Sequence, residues 1–337
     1  MIIITGGLGS TQDDITRESV ANFLNEKLIF NENIYNNILD RYRKYNFVMN
    51  NIIKKQAYVI EGATILENKY GSAPGMYINK NNKHYILLPG PPNEALKIIE
   101  DNIYIFNKFN LNKPNIKKIQ FYNITESKLM EGLEEKLSNI NYSTKIEIPI
   151  GPSIIFKDSL NKINNIVEYI NDKYKDYIIP NNPIHFLVKK LSKENLSIST
   201  FESCTGGLVG KLITDIPGSS KIYKGGIIAY SNEIKNILLN VDISILEKYG
   251  AVSEETVKIM AKNGSLLYNT NFSIAISGIA GPDGGTKEKP VGTIFFAFFY
   301  KNYDKIIVEK KIFSGNRNLI REKAAYYSLI RLLKIFY

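Results

Sequence analysis

The chain opens with an apolar run, "MIIIT", followed by the polar and glycine-rich "GGLGSTQDD" and then the mixed stretch "ITRESVANFLNEKL". This pattern predicts a buried strand over residues 1–5, a tight turn over 6–9 and an amphipathic helix over 15–28. Val20, Phe23 and Leu24 would share the apolar face of that helix, with Asp13, Asp14 or Thr16 at its start. The same order returns in "HYILLPGPPNEALKIIEDNIYIF": a strand over 85–88, a rigid turn, and a helix striped by Leu96, Ile99, Ile103 and Phe106. Strand, turn and helix make half of a parallel crossover unit. Both turns are therefore expected at the carboxyl edge of one sheet, where α/β folds bind ligands.

Between 113 and 182 the pattern changes to "KKIQFYNI", a charged helix "ESKLMEGLEEKLSNI", short strands and another helix. This reads as a small α+β module, with "IPNNP" as a linker behind it. From 183 onward strands and helices alternate again. "LSISTFE" is an alternating strand, "SCTGG" opens a helix, "GGIIAY" is a strand and "SNEIKNILL" a helix. "SEETVKIMAKNGSLL" is a helix capped by Ser253. "NFSIAISG" is a strand that runs into a glycine loop, "VGTIFFAFFY" and "DKIIVEKKIF" form a hairpin, and 316–335 is a final helix. The expected domains are 1–112, 113–182 and 183–337.

Composition narrows the function. A 337-residue chain with 44% hydrophobic residues can hold two or three packed domains. A single cysteine excludes an internal disulfide and fits a reducing compartment. That cysteine and two histidines, His84 and His185, argue against a zinc centre. "MIIITGG" lacks the features of a signal peptide, and runs such as "TIFFAFFY" fall short of the roughly 20 apolar residues that span a bilayer. The expectation is a cytoplasmic protein without a membrane partner. The net charge of +10 is scattered, with no Lys/Arg run of five. This speaks against nucleic acid and leaves an anionic small molecule as a compatible substrate.

The candidate chemistry gathers in "FESCTGGLVG". Ser203 lies where a strand turns into a helix, which suits either a helix cap or a nucleophile backed by amide donors. No histidine follows His185, so a Ser–His–Asp triad is disfavoured. Lys235, with Tyr230 to orient or relay, offers a Ser–Lys alternative if its pKa is lowered by burial. Cys204 reads better as a small buried residue. The loop "SGIAGPDGG" can offer amides to an anion. Arg317 and Arg321, one helical turn apart, could grip a phosphate. Asp13 and Asp14 beside "GGLGS" suit a metal or ribose hydroxyls.

Together and in this order, these stretches resemble the CinA family (competence/damage-inducible protein) over nearly the whole chain. "ESCTGGLVGKLITDIPGSSKIYKGGIIAYSNEIK", "GAVSEET", "SGIAGPDGG", "KPVGTIFFAF" and "FSGNR" are similar to the family's C-terminal domain. The resemblance implies a nicotinamide-nucleotide amidohydrolase that converts nicotinamide mononucleotide to nicotinic acid mononucleotide and ammonia. It places the reacting serine, tyrosine and lysine on Ser203, Tyr230 and Lys235. Amides around Thr205, Gly206 and Gly207 would serve the oxyanion, and Gly278, Ala280, Gly281 and Arg317 the nucleotide. No cofactor is implied for this step, and the expected assembly is a homo-oligomer, a dimer.

The front half resembles the family's molybdopterin-binding-like domain through "TGGLGSTQDDITRE", "KKQAYVIEGATILENKYGSAPGMYI" and "LLPGPPNEA". Ser10 stands where family members usually have proline. Roughly sixty preceding residues with a "GDELL"-type motif are expected by resemblance and lie outside this sequence. The expected fold class is thus α/β: a doubly wound molybdopterin-binding-like domain, incomplete at its N-terminus, a small α+β middle module and a C-terminal α/β CinA-type domain. Some members resemble an ADP-ribose pyrophosphatase that needs divalent metal, for which Asp13 and Asp14 would be the ligands. A catalytically silent nucleotide-binding, competence-related protein is the remaining alternative.

Overall fold

The computed structural model describes residues 1–46, 51–107, 109 and 115–336. The chain forms two compact units, Met1–Lys113 and Pro114–Tyr337. The expected boundary between 112 and 113 falls outside the described residues.

In the first unit, strand Ile2–Thr5 runs parallel to Lys83–Leu88, pairing Ile2 with Tyr85 and Thr5 with Leu88. Gly75–Lys80 and Thr64–Leu66 continue the sheet in antiparallel sense. Both glycine turns therefore leave the same sheet edge, as their sequences suggest. The first strand is not buried: it is an edge strand, and Ile2 and Ile3 are exposed. The first helix spans Thr16–Leu24, not 15–28, because Asn25 adopts the left-handed conformation at its end. Residues Leu28–Phe30 instead pair with Tyr58–Ile60. Phe23 is 75% exposed, so the buried face is Arg17, Val20, Ala21 and Leu24.

The later helix breaks at Asn102 into Pro92–Asp101 and Ile103–Asn107. This break changes the expected stripe. Ala95, Ile98 and Ile105 are buried, while Leu96 and Ile103 face outward.

In the second unit, a four-stranded antiparallel sheet is ordered Ile178–Ile179, Asn115–Phe121, Gly151–Asp158, Tyr142–Glu147. Helix Leu160–Tyr174 supplies Ile163, Ile166 and Ile170 to the same core as Phe121, Ile154 and Phe156. The expected charged helix divides into Glu126–Glu131 and Glu134–Leu137. Gly132 lies at the division, and a Cβ there would meet the Tyr174 hydroxyl at 2.0 Å.

The unit's other sheet has five strands, ordered Tyr223–Ile228, Ile198–Glu202, Phe272–Gly278, Thr293–Tyr300, Lys305–Ile312. The first three are parallel and the last two antiparallel. One face packs Ile198, Ile274 and Phe296 under helices Pro183–Lys193, Leu208–Thr214 and Arg317–Phe336. The other packs Phe201, Ala275 and Ala297 under Asn232–Leu239, Ile243–Tyr249 and Glu254–Tyr268.

Strand Ile198–Glu202 is thus buried on both sides, although its sequence alternates. Its polar positions find internal partners. Ser199 bonds Thr270 and Thr200 bonds Tyr223, both at 2.7 Å. Ser253 caps its helix as the sequence predicts, accepting from the Thr256 amide. Among the described residues, no helix is long and apolar enough to cross a membrane.

Candidate active site

Two of the three parallel strands end level with one another, and the third, Phe272–Gly278, runs two residues further. Glu202 is in register with Ile228 on one side and Ile276 on the other. The segments that follow all emerge at one carboxyl edge, which is where such sheets place ligands. Side chains alternate across a strand, so Glu202 and Ser203 point to opposite faces. Glu202 lies beneath helix Leu208–Thr214. Ser203 lies beneath helix Asn232–Leu239, and its amide still donates to the Ile276 carbonyl at 2.9 Å.

Lys235 reaches Ser203 from the first turn of that second helix, which Ser231 caps by accepting from the Ile234 amide. Its Nζ donates to Ser203 Oγ at 3.2 Å, to the Ala229 carbonyl at 2.8 Å and to the Tyr230 carbonyl at 3.4 Å. The side chain is 1% exposed, and this burial lowers its pKa from the ordinary lysine value. An ammonium has three donors and a neutral amine two, plus a lone pair. The two carbonyls can only accept. When Lys235 loses a proton, its lone pair is therefore left facing the one partner that can donate back, the Ser203 hydroxyl.

Cys204 is a different case. Its thiol is buried in the core and burial pushes it up to about 12, so it stays protonated and packs.

Tyr230 does not stand between serine and lysine. Its ring is 60% exposed, and its hydroxyl accepts from Arg317 Nη2 at 2.8 Å. Only its carbonyl touches Lys235, so the expected relay gives way to a direct Ser203–Lys235 contact. Arg317 Nη1 also donates to the Gly281 carbonyl at 2.6 Å, tying the glycine loop to Tyr230 at the rim. Gly278 and Ala280 are tightly packed. A Cβ on Gly278 would meet Ile294 Cδ1 at 2.3 Å, and Ala280 belongs to the core.

The turn after Ser203 also differs from expectation. The Gly206 amide donates to the Ser203 carbonyl at 3.1 Å. The Gly207 and Val209 amides donate to Glu202 Oε2 at 2.9 and 3.1 Å, and the Gly210 amide to Oε1 at 2.9 Å. Gly206 and Gly207 therefore have no free N–H for an oxyanion. Glu202 fills the anion site at this helix start from inside the protein. Arg321 does not grip a phosphate either: it bonds the carbonyls of Cys204 and Thr205. Thr205 is wholly buried, and its Oγ1 has no partner among the described residues. An acidic residue closing a buried strand just before "SCTGG" was the available signal for Glu202. Nothing local announces Arg321, which lies far along the chain.

In the first unit, the two turns line a cavity of about 250 Å³ with Gly7, Gly9, Asp14, Gln56, Gly90 and Glu94. Asp13 is outside it and exposed. Neither aspartate caps the helix. Asp14 accepts from the Thr11 amide and hydroxyl, which holds its carboxyl below the usual range. Glu94 accepts from Asn68. Among the described residues no group of three or more His, Cys, Asp or Glu could hold a metal. Asp14 and Glu94 each use one oxygen on the loops, and Asp13 does not join them at the cavity.

Known proteins are similar to this chain in sequence. A family described as "CinA C-terminal domain" matches residues 182–336, and one described as "Probable molybdopterin binding domain" matches residues 1–107. A CinA-like protein of Thermosipho melanesiensis is 42% identical over 98% of this chain and 84% of its own length. One from Petrotoga mobilis is 38% identical over 99% and 83%. The crystal structure of a competence/damage inducible protein from Agrobacterium tumefaciens is 33% identical, covering 47% of this chain and 98% of that one with a TM-score of 0.44.

Proposed function

The chain belongs to the CinA family, and from that premise we propose that it hydrolyses the carboxamide of nicotinamide mononucleotide, releasing ammonia and nicotinic acid mononucleotide. The observation that carries this reading is the 3.2 Å contact between Lys235 Nζ and Ser203 Oγ, with the lysine buried so that its pKa is lowered.

Neutral Lys235 accepts the hydroxyl proton as Ser203 Oγ attacks the amide carbon. The C=O electron pair moves to oxygen and is met by backbone N–H groups of the turn. The intermediate collapses by breaking the C–N bond. Lys235 returns its proton to the departing nitrogen, which leaves as ammonia. Water then attacks the acyl-serine with Lys235 again taking a proton, the acyl C–Oγ bond breaks, and Lys235 returns that proton to Oγ, releasing the carboxylic product and restoring Ser203 and neutral Lys235. Arg317 uses two of its five donors on Tyr230 and Gly281. The remainder, with the exposed Tyr230 ring, form a rim suited to a nucleotide's ribose and phosphate. The acid–base work falls to Lys235 throughout, so the step needs no metal for it.

The test is ammonia release from nicotinamide mononucleotide by the full chain in the presence of a chelator. Turnover by wild type and its loss in Lys235→Met are expected. A folded wild-type protein that releases no ammonia between neutral and mildly alkaline pH would overturn the proposal.

A further inference from the structure

We infer that Arg321 is a positioning residue for this site: it fixes the turn peptides so that the amides of Cys204 and Thr205 form the oxyanion hole. The inference rests on the amidase reading above. Arg321 reaches the turn from helix Arg317–Phe336. Its Nε donates to the Cys204 carbonyl and its Nη2 to the Thr205 carbonyl, both at 3.0 Å.

A trans peptide holds its C=O and N–H on opposite sides. Drawing the Cys204 carbonyl toward the guanidinium turns the Thr205 N–H away from it. Drawing the Thr205 carbonyl does the same to the Gly206 N–H, which then meets the Ser203 carbonyl at 3.1 Å. That last bond fixes the next peptide, and with it the Cys204 N–H. Two contacts from one side chain thus set three successive peptide planes.

The amides of Cys204 and Thr205 are the two in this turn with no acceptor on another described residue, whereas those of Gly206, Gly207, Val209 and Gly210 are all engaged. The Thr205 hydroxyl beside them is also buried and unpartnered. The Cys204 amide meets only its own thiol, and a donor left without a partner in a buried turn, as that of Thr205 is, is costly. The inference sets these two amides around the carbonyl oxygen of the group that Ser203 attacks, where negative charge would develop in the transition state.

The planar fork of arginine suits two successive carbonyls in a way a lysine ammonium does not. Gly206 gives it room. A Cβ there would stand 3.0 Å from Arg321 Nη2, and the residue's φ of +60° already favours glycine.

Arg321→Met keeps the stem and removes both hydrogen bonds. The expected result is a fall in kcat of about 10²-fold, the scale of losing an oxyanion donor, with KM changed by less than about threefold. A second readout is the affinity for the substrate's aldehyde analogue, pyridine-3-carbaldehyde mononucleotide. Ser203 Oγ adds to its carbonyl carbon, and the serine proton passes through Lys235 to the new alkoxide, so the adduct uses the same hole without turnover. Its affinity should fall in step with kcat, while affinity for the carboxylate product holds.

An active wild type with kcat and aldehyde affinity unchanged in Arg321→Met would overturn this inference alone. A folded wild type without ammonia release would overturn the amidase reading and this inference with it. If Arg321→Met does not fold, Arg321→Lys decides: the same split between kcat and KM in a folded variant supports the role, and wild-type kcat overturns it.

Discussion

Replacing Glu202 by glutamine exchanges one carboxylate oxygen for an NH₂ group at a point where three backbone amides converge. In the native site Oε2 takes the Gly207 and Val209 amides and Oε1 takes that of Gly210. All of this happens beneath the helix, with Glu202 only 2% exposed. A glutamine carbonyl can keep one side of this arrangement, but its NH₂ then meets an N–H, donor against donor. One buried amide left unpaired costs about 1–3 kcal/mol. Losing the negative charge at the helix start adds about 1 kcal/mol. The sum is about 2–4 kcal/mol. For a domain of about 150–250 residues each kcal/mol lowers Tm by about 2–4 °C, so a fall of about 5–15 °C is expected. Urea unfolding with thermal melts of wild type and Glu202→Gln measures it. A loss below about 0.5 kcal/mol, the size of an ordinary surface change, would refute the reasoning that Glu202 anchors the turn as a charged acceptor.

Lys235 acts as a base only when neutral, so log kcat/KM should rise with pH at unit slope and level off below the ordinary lysine value of 10.5. An acid limb centred at 10.5 would contradict its burial. The lowered folded pKa also means that the unfolded chain binds more protons between the two values. Stability should therefore rise with pH across that window by about 1.4 kcal/mol per unit, and Lys235→Met should lose that slope. Ser203→Ala should reduce ammonia release by at least about 10³-fold, whereas Cys204→Ala should stay within about tenfold and lose mainly stability. The reverse pattern would move the nucleophile to the thiol.

The central features of the site were legible because they are local in sequence. A strand, "SCTGG" and a helix place Ser203 at a sheet edge. The next strand and helix, "GGIIAYSNEIK", carry Lys235 to the same edge because the two strands are adjacent and parallel. What was not legible depends on direction and distance. The exposure of Tyr230 follows from which way its ring turns at a strand end, and the sequence is the same either way. The Gly207 amide expected at an oxyanion is taken because Glu202 lies only one residue before Ser203 but serves the opposite face. Helix limits were misjudged where a single asparagine, Asn25 or Asn102, stops a pattern that the apolar spacing would continue.

The contacts from Arg317 and Arg321 also bear on how the protein is made. Ser203 and Lys235 lie within one strand–helix–strand–helix stretch and can meet early, but the residues that hold the turn and the rim arrive on helix Arg317–Phe336. A chain emerging from a ribosome therefore carries its nucleophile for more than a hundred residues before the closing helix can dock (the Arg321–Cys204 bond spans 117 positions). Long-range closures of this kind form late. Under the proposed function, the serine would until then have a base but no fixed oxyanion hole, and the chemistry would wait for that helix to dock.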